Sequence, residues 1–214
     1  MRILLLGATR GTGRAVAEAA LAAGHAVTAV VRPSSRQAPP AGVEVVSGDA
    51  TDAALLARIA PGHDAYVVAL GEYPHPLVFL PGPQRHRCQA VCSRGTEALL
   101  AALPEGARVA VVSAYGVGPT RESAPWYFRL YFWAFLPALF ADKEVQEAAL
   151  RASNADYLIV QPVGLTDRPA SGAMLASADG RIKAATVSRA DVAAFILAEL
   201  EAPSHHRASV AVSG

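Results

Sequence analysis

Gly7, Gly11 and Gly13, interleaved with Thr9, Arg10 and Thr12, sit between an apolar run, Ile3 to Leu6, and a stretch of helical character from Gly11 to about Ala23. Glycines at this spacing, Gly-x3-Gly-x-Gly, let a chain turn sharply and bring bare backbone against a ligand. The helix that follows aims its first N–H groups and its dipole at an anion. The unit reads as a cradle for a pyrophosphate, with Gly11 and Gly13 bare so that the backbone can approach it. On this reading Gly13→Val abolishes nucleotide binding while the fold persists. A second cluster follows the next apolar run, Ala26 to Val31: Arg32, Ser34, Ser35 and Arg36. Dinucleotide sites selective for NAD place Asp or Glu here to accept from the ribose 2′-hydroxyl. Guanidinium groups instead grip a 2′-phosphate with forked, charge-assisted bonds. The residues therefore predict NADPH over NADH. The bland alternatives are turn glycines without a ligand and two arginines on a solvated loop.

These residues need a scaffold, and the chain supplies alternating strand-like and helical segments. Further strands are expected at Val43 to Val46, Asp64 to Leu70, Ala107 to Ser113 and Asp156 to Gln161. Helices are expected at Asp52 to Ile59, about Gln84 to Leu103, and Asp142 to about Ser153. Pro162 to Thr186 reads as irregular, Ser188 as the N-cap of a last helix with Asp191 completing a capping box, and Ser209 to Val212 as a final edge strand. The pattern predicts an α/β fold: a doubly wound, mainly parallel Rossmann-like sheet with helices on both faces, in one domain spanning 1–214. In such a sheet ligands bind beyond the carboxyl ends of the strands. That rim would gather Gly7 to Gly13, Arg32, Asp49-Ala50, Leu70-Gly71, Ser113 to Tyr115 and Gln161 to Gly164.

Composition narrows the function further. Apolar residues make up 52% and charged residues 17%, and the net charge is +1. A chain with no run of like charges is not an electrostatic nucleic-acid binder. Cys88 and Cys92 stand i,i+4 and imply neither a disulfide framework nor a zinc site. The six histidines show no ligand spacing, so no metal is expected. No Gly-x-Ser-x-Gly elbow supports acyl transfer. A cytoplasmic, reduced protein without a secretory signal is the plain expectation. The segment at about 123–141 carries eight aromatics, Trp126, Tyr127, Phe128, Tyr131, Phe132, Trp133, Phe135 and Phe140. Arg129 and Pro137 argue against its spanning a membrane. It reads as the wall or lid of a planar-acceptor pocket, as a homodimer interface, as core, or as a peripheral membrane contact.

The chain resembles the atypical short-chain dehydrogenases/reductases of the NAD(P)H-binding, NmrA-like type, and within them the biliverdin-IXβ reductase/flavin reductase group. The resemblance rests on Gly7-Ala8-Thr9-x-x-Thr12-Gly13, Val31-Arg32-x-Ser34-Ser35-Arg36, Gly48-Asp49-Ala50, Asp64-Ala65-x-Val67-Val68-x-Leu70-Gly71, Ser113-Ala114 and Asp156-Tyr157. It implies that Thr9, Arg10, Gly11, Thr12 and Gly13 hold the pyrophosphate and that Arg32, Ser35 and Arg36 hold the 2′-phosphate. It further implies that Asp49 and Ala50 border the adenine, Leu70, Gly71 and Ser113 the nicotinamide ribose, and Pro162 and Val163 the nicotinamide. Arg10-Gly11 departs from that group's usual Gly followed by a polar residue.

Many short-chain dehydrogenases use Tyr-x3-Lys as their acid–base pair. Here Lys143 matches the lysine, but Leu139 stands four residues earlier. Carbonyl and alcohol chemistry then lose their usual proton donor, whereas hydride transfer to an electron-poor ring survives. Three side chains are candidates for the reacting end. Ser113 reads as a partner of the ribose or a substrate oxygen, or as a strand-end hydroxyl. Tyr115 reads as an acceptor-stacking or proton-donating residue, or as a packed loop aromatic. Lys143 reads as a ribose contact or a surface lysine. The leading expectation is an NADPH-dependent reductase of a flavin, quinone or similar planar acceptor. A dinucleotide-binding redox sensor without turnover is the second reading, and an isomerase or epimerase a weaker third.

Overall fold

A computed structural model describes residues 1–71, 89–125 and 136–214. Its centre is an eight-stranded sheet built from β1 (Arg2–Leu6), β2 (Ala26–Val31), β3 (Glu44–Ser47), β4 (Ala65–Val68), β5 (Arg108–Val112), β6 (Asp156–Pro162), β8 (Leu175–Ser177) and β10 (Ala208–Ser213). The order is β3-β2-β1-β4-β5-β6-β10-β8. Every pairing is parallel except that of β8 with β10. Two short strands, β7 (Gly164–Thr166) and β9 (Thr186–Ser188), pair separately. The expected doubly wound, mainly parallel α/β sheet is what forms.

Burial explains the apolar runs. Along β1, Ile3 and Leu5 enter the core on one face while Leu4 and Leu6 enter the core on the other. A strand covered on both faces has no polar side, so it reads as a continuous hydrophobic run. Helices α1 (Gly11–Ala22) and α6 (Arg189–Glu201) cover the first face through Val16, Ala17, Ala20, Val192 and Ile196. The second face carries α2 (Ala53–Ile59) and α3 (Val91–Leu100) through Leu55, Leu56 and Leu99, with Leu150 of α5 (Pro137–Ala152) beside them. A short helix, α4 (Thr120–Ser123), follows β5.

The ends of the helices follow their local chemistry. Gly24 stands just past α1 with φ +80°; its N–H reaches Leu21 O and the next N–H, of His25, reaches Ala20 O. This pair of bonds closes the helix with a left-handed residue that glycine adopts without strain. Asp52 caps α2 by accepting from Ala54 and Leu55 N–H. Ser188 caps α6 by accepting from Asp191 N–H at 2.9 Å and donates its own hydroxyl to Asp191 at 2.8 Å. Asp191 also accepts from the backbone N–H groups of Ser171 and Gly172, and so ties the 171–172 turn to the helix.

Three expectations need correction. Ser209 to Val212 does not form an edge: β10 lies between β6 and β8, with Val210, Ala211 and Val212 fully buried. The stretch from 162 to 186 is not wholly irregular, because Gly164–Thr166 and Leu175–Ser177 pair as short strands. The helix carrying Lys143 starts at Pro137 and not at Asp142, with proline at its first position where a missing N–H costs nothing. Cys88 and most of the aromatic segment, residues 126–135, lie outside the described residues. Phe140 is the one of the eight aromatics that is described, and it is buried on α5.

The amino ends of the strands hold a buried ionic cluster. Arg108 bonds Asp156 Oδ2 at 3.1 Å, Glu199 Oε2 at 3.2 Å and the carbonyls of Glu199 and His205. Burial alone would raise the pKa of Glu199. The Ser204 hydroxyl, the His205 ring and both backbone N–H groups outweigh that and lower it from 4.5 to about 2. A carboxylate lowered in the folded state stabilises the fold fully above its unfolded pKa and loses that contribution as pH falls through the folded one. Acid unfolding should therefore show Glu199 losing on the order of 2 kcal/mol of stability between about pH 4.5 and 2. Denaturant titrations of Glu199→Gln across that range should lack this component.

Candidate functional site

The strand order reverses between β1 and β4, which are paired neighbours. At such a switch point the loops leave toward opposite faces and open a crevice. The first of these loops runs from Gly7 to Arg10. Gly7 has φ +101°, and a Cβ there would meet Ala69 O at 2.5 Å, so the loop passes against the end of β4. Gly13 does a different job from the one its spacing suggests. A Cβ on Gly13 would overlap the Gly7 carbonyl oxygen and touch Ala69 Cβ at 3.0 Å. Its bareness lets α1 pack onto the β1 turn, and it does not line the crevice.

The resulting cleft has a volume of about 520 Å³. Gly7, Ala8, Thr9, Arg10, Gly11 and Thr12 form its central wall; Arg32 and Ser35 with Asp49 and Ala50 form one end. Ala69, Leu70, Gly71 and Val112 lead to Ser113, Leu139 and Lys143, with Leu165 and Arg189 beside them. Arg10, at the N-cap of α1, makes no side-chain capping bond, unlike Asp52 and Ser188 on their helices. The first N–H groups of α1 are of the kind that can take an anion.

The charge at the Arg32 end is arranged by hydrogen bonding. Asp49 accepts from Thr51 N–H at 2.8 Å and from its hydroxyl at 2.9 Å. These bonds hold its carboxyl below the usual carboxylate range, with Arg32 and Arg94 adding to the effect against a smaller cost of burial. The exposed guanidinium of Arg32 is what this end presents to an anion.

The opposite end is built by α5. Lys143 is 7% exposed and donates from Nζ to Val112 O at 3.0 Å. Ser113 is 4% exposed and donates to Glu147 Oε1 at 2.5 Å. Gln161 Nε2 reaches the same oxygen at 2.8 Å, and Arg151 reaches Glu147 Oε2 at 2.5 Å. Residues 139, 143, 147 and 151 recur every four positions, so they share one helical stripe against the ends of β5 and β6. The adjacent stripe binds α3. Asp142 accepts from Cys92 and Ser93 N–H, both at 3.0 Å, and Gln146 donates to Thr96 Oγ1 at 2.8 Å. Burial would raise the pKa of Asp142, but the bonds from Ser93 and Cys92 hold it below its ordinary value.

Several expected site residues lie elsewhere. Tyr115 is 2% exposed, and its hydroxyl donates to Ser123 O and Gly180 O, so it is a packed aromatic that does not line the cleft. Arg36 is exposed on the loop after β2 but does not line the cleft either. Pro162 and Val163 are held behind it by backbone bonds to Tyr115 and Val212, and Leu165 takes the lining position. The lysine is no surface residue. Gln161 sits at the expected strand end, but Glu147, Leu165 and Arg189 carry no motif; the four-residue stripe from Leu139 is the one sequence signal for Glu147.

The family model for NAD(P)H-binding proteins matches residues 7–203, and the chain belongs to that family. Its fold is that of several solved structures. ChuY, an anaerobilin reductase from Escherichia coli O157:H7, is 24% identical with a TM-score of 0.74, covering 100% of this chain and 97% of ChuY. A candidate NADH-flavin reductase from Streptococcus pneumoniae TIGR4 is 20% identical with a TM-score of 0.74, covering 99% and 98%. A short-chain dehydrogenase/reductase from Veillonella parvula DSM 2008, solved with NADP, is 20% identical with a TM-score of 0.78, covering 100% and 94%. Among the described residues no helix is long and apolar enough to cross a membrane, and no group of side chains is arranged to hold a metal ion.

Proposed function

We propose that this chain is an NADPH-dependent reductase of a flavin, quinone or similar planar acceptor. The observation that carries the proposal is the cleft itself, with Arg32 and Ser35 at one end and Ser113, Lys143 and Leu139 at the other. The bare turn at Gly7 and the start of α1 beside it fit a pyrophosphate between those ends. Thr9 to Thr12 would hold it, Arg32 and Ser35 would take the 2′-phosphate, and Asp49 and Ala50 would border the adenine. Leu70, Gly71, Ser113 and Lys143 would border the nicotinamide ribose. A bound NADPH supplies hydride.

The residues around that end favour a ring acceptor over a carbonyl. No tyrosine is among the described residues that line the cleft, and position 139 holds leucine. Lys143 offers polar protons there, its charge anchored by Val112 O at the base of the cleft, with Arg189 further along the lining. Leu139 and Leu165 exclude water beside it, which keeps the site apolar enough for a planar ring. The family membership supports the cofactor class. The reductase names of ChuY and of the streptococcal protein support the direction of reaction, and ChuY adds an anaerobilin-type acceptor to the range.

Steady-state NADPH consumption with FMN, riboflavin, a small quinone and a linear tetrapyrrole, offered in turn, tests this reading. Turnover with at least one acceptor supports it. Binding without turnover returns the reading to a redox sensor. Lys143→Met keeps the bulk and removes the charge; kcat/KM should fall by about ten- to a hundredfold, the size of one lost charge-assisted bond.

A further inference from the structure

Glu147 is fully buried and lies one helical turn beyond Lys143 on the stripe that backs the cleft. Among the described residues, Ser113 is the cleft-lining group that its carboxylate hydrogen-bonds. A carboxylate paired with a guanidinium accepts hydrogen bonds and donates none. The 2.5 Å contact between Ser113 Oγ and Glu147 Oε1 therefore consumes the serine proton. Arg151 on Oε2 and Gln161 Nε2 on Oε1 fix the carboxylate from both sides. With its proton committed, the hydroxyl of Ser113 has only lone pairs left to offer the cleft. Beside it, Lys143 Nζ spends one N–H on Val112 O and can only donate. The two together are complementary to a group that accepts from one side and donates to the other, which is the chemistry of a hydroxyl.

We propose that Glu147 is a positioning residue that sets Ser113 as an acceptor, so that Ser113 and Lys143 together bind a ribose hydroxyl at the nicotinamide end of the cofactor. The proposal rests on the placement of the dinucleotide given above. It has a specific consequence for Glu147→Gln. An amide there turns its NH2 away from the Arg151 guanidinium and so toward Ser113 and Gln161. Gln161, whose Nε2 also donates to Val117 O at 2.8 Å, keeps its orientation and gives up only its bond to position 147, so Ser113 Oγ is the acceptor left for the new NH2. Ser113 then turns its proton outward, and the ribose hydroxyl meets two donors in place of a donor and an acceptor.

The test is a double-mutant cycle on NADPH affinity, read by nicotinamide fluorescence in wild type, Ser113→Ala, Glu147→Gln and the double variant, with thermal midpoints taken alongside. Each single change should weaken NADPH by about three- to tenfold. The double variant should bind like Ser113→Ala alone, because Glu147 acts only through the serine. In turnover the loss should appear in KM for NADPH and not in KM for the acceptor. Additive losses, or a Glu147→Gln protein that binds like wild type, would overturn the proposal while leaving the cofactor assignment standing. A wild-type protein that binds no nicotinamide nucleotide would overturn both, and the wild-type titration reveals that first.

Discussion

Arg32→Glu should raise the Kd for NADPH by about a hundredfold or more and the Kd for NADH by no more than about threefold. The substitution removes charge-assisted bonds worth about 1.5–3 kcal/mol and sets a like charge beside the 2′-phosphate. The surroundings add to the effect. Asp49 already stands as an anion at this end of the cleft, and Arg32 is one of the two cations that offset it. In the variant, two carboxylates face the phosphate. Arg32 is exposed, so the gap between the nucleotides should narrow as salt is raised. Parallel titrations with NADPH and NADH decide the matter, and equal losses for both would remove Arg32 from the 2′-phosphate site. Arg36→Glu should discriminate far less, since Arg36 does not line the cleft.

Gly13→Val should fail at folding before it fails at binding. The backbone of Gly13 packs so closely on the Gly7 turn that even a Cβ would overlap the Gly7 carbonyl oxygen. Backbone cannot yield as a flexible side chain does, so α1 must lift from β1 and β4, and Val16, Ala17 and Ala20 would lose their places in the core. A loss of about 3 kcal/mol or more is expected, with a thermal midpoint lowered by about 6 °C or more for a domain of this size. A variant with an unchanged midpoint and no nucleotide binding would restore the reading of Gly13 as a phosphate contact. The glycine spacing was visible in the sequence; which glycine lines the cleft and which lets α1 pack on the β1 turn was not. Both roles demand a missing side chain, and only the path of the backbone separates them.

The same distinction governs what else could be read early. The strands of the central sheet were legible because burial on both faces leaves an unbroken apolar run, as in Ile3 to Leu6. Rim residues such as Arg32, Asp49 and Ser113 were legible because sheet topology places strand ends together whatever the side chains are; Lys143, on a helix, was legible only through its match to the lysine of Tyr-x3-Lys. The polar floor was not. Glu147 looks in sequence like an ordinary surface position of a helix, and Gln161, though expected on the rim, gives no sign that it bonds Glu147, since a buried polar side chain leaves no hydropathy signal until its partners are known. Tyr115 stays open between two readings in the sequence, because an aromatic after β5 suits both a cleft and a core. The carbonyls of Ser123 and Gly180, distant in sequence, settle which. The sequence pattern predicts an edge at the final strand because β8, its outer neighbour, is only three residues long and pairs antiparallel across a long connection.

The central claim is that the cleft holds NADPH and delivers its hydride to a planar acceptor. A single-turnover experiment tests it most directly: NADPH bound to an excess of the protein is mixed with flavin or quinone, and nicotinamide fluorescence is followed. Decay of the bound signal well above the rate for free NADPH, and slowed in Lys143→Met, is the result expected. A bound signal that persists with every acceptor would contradict the claim and leave a protein that binds the dinucleotide without spending it.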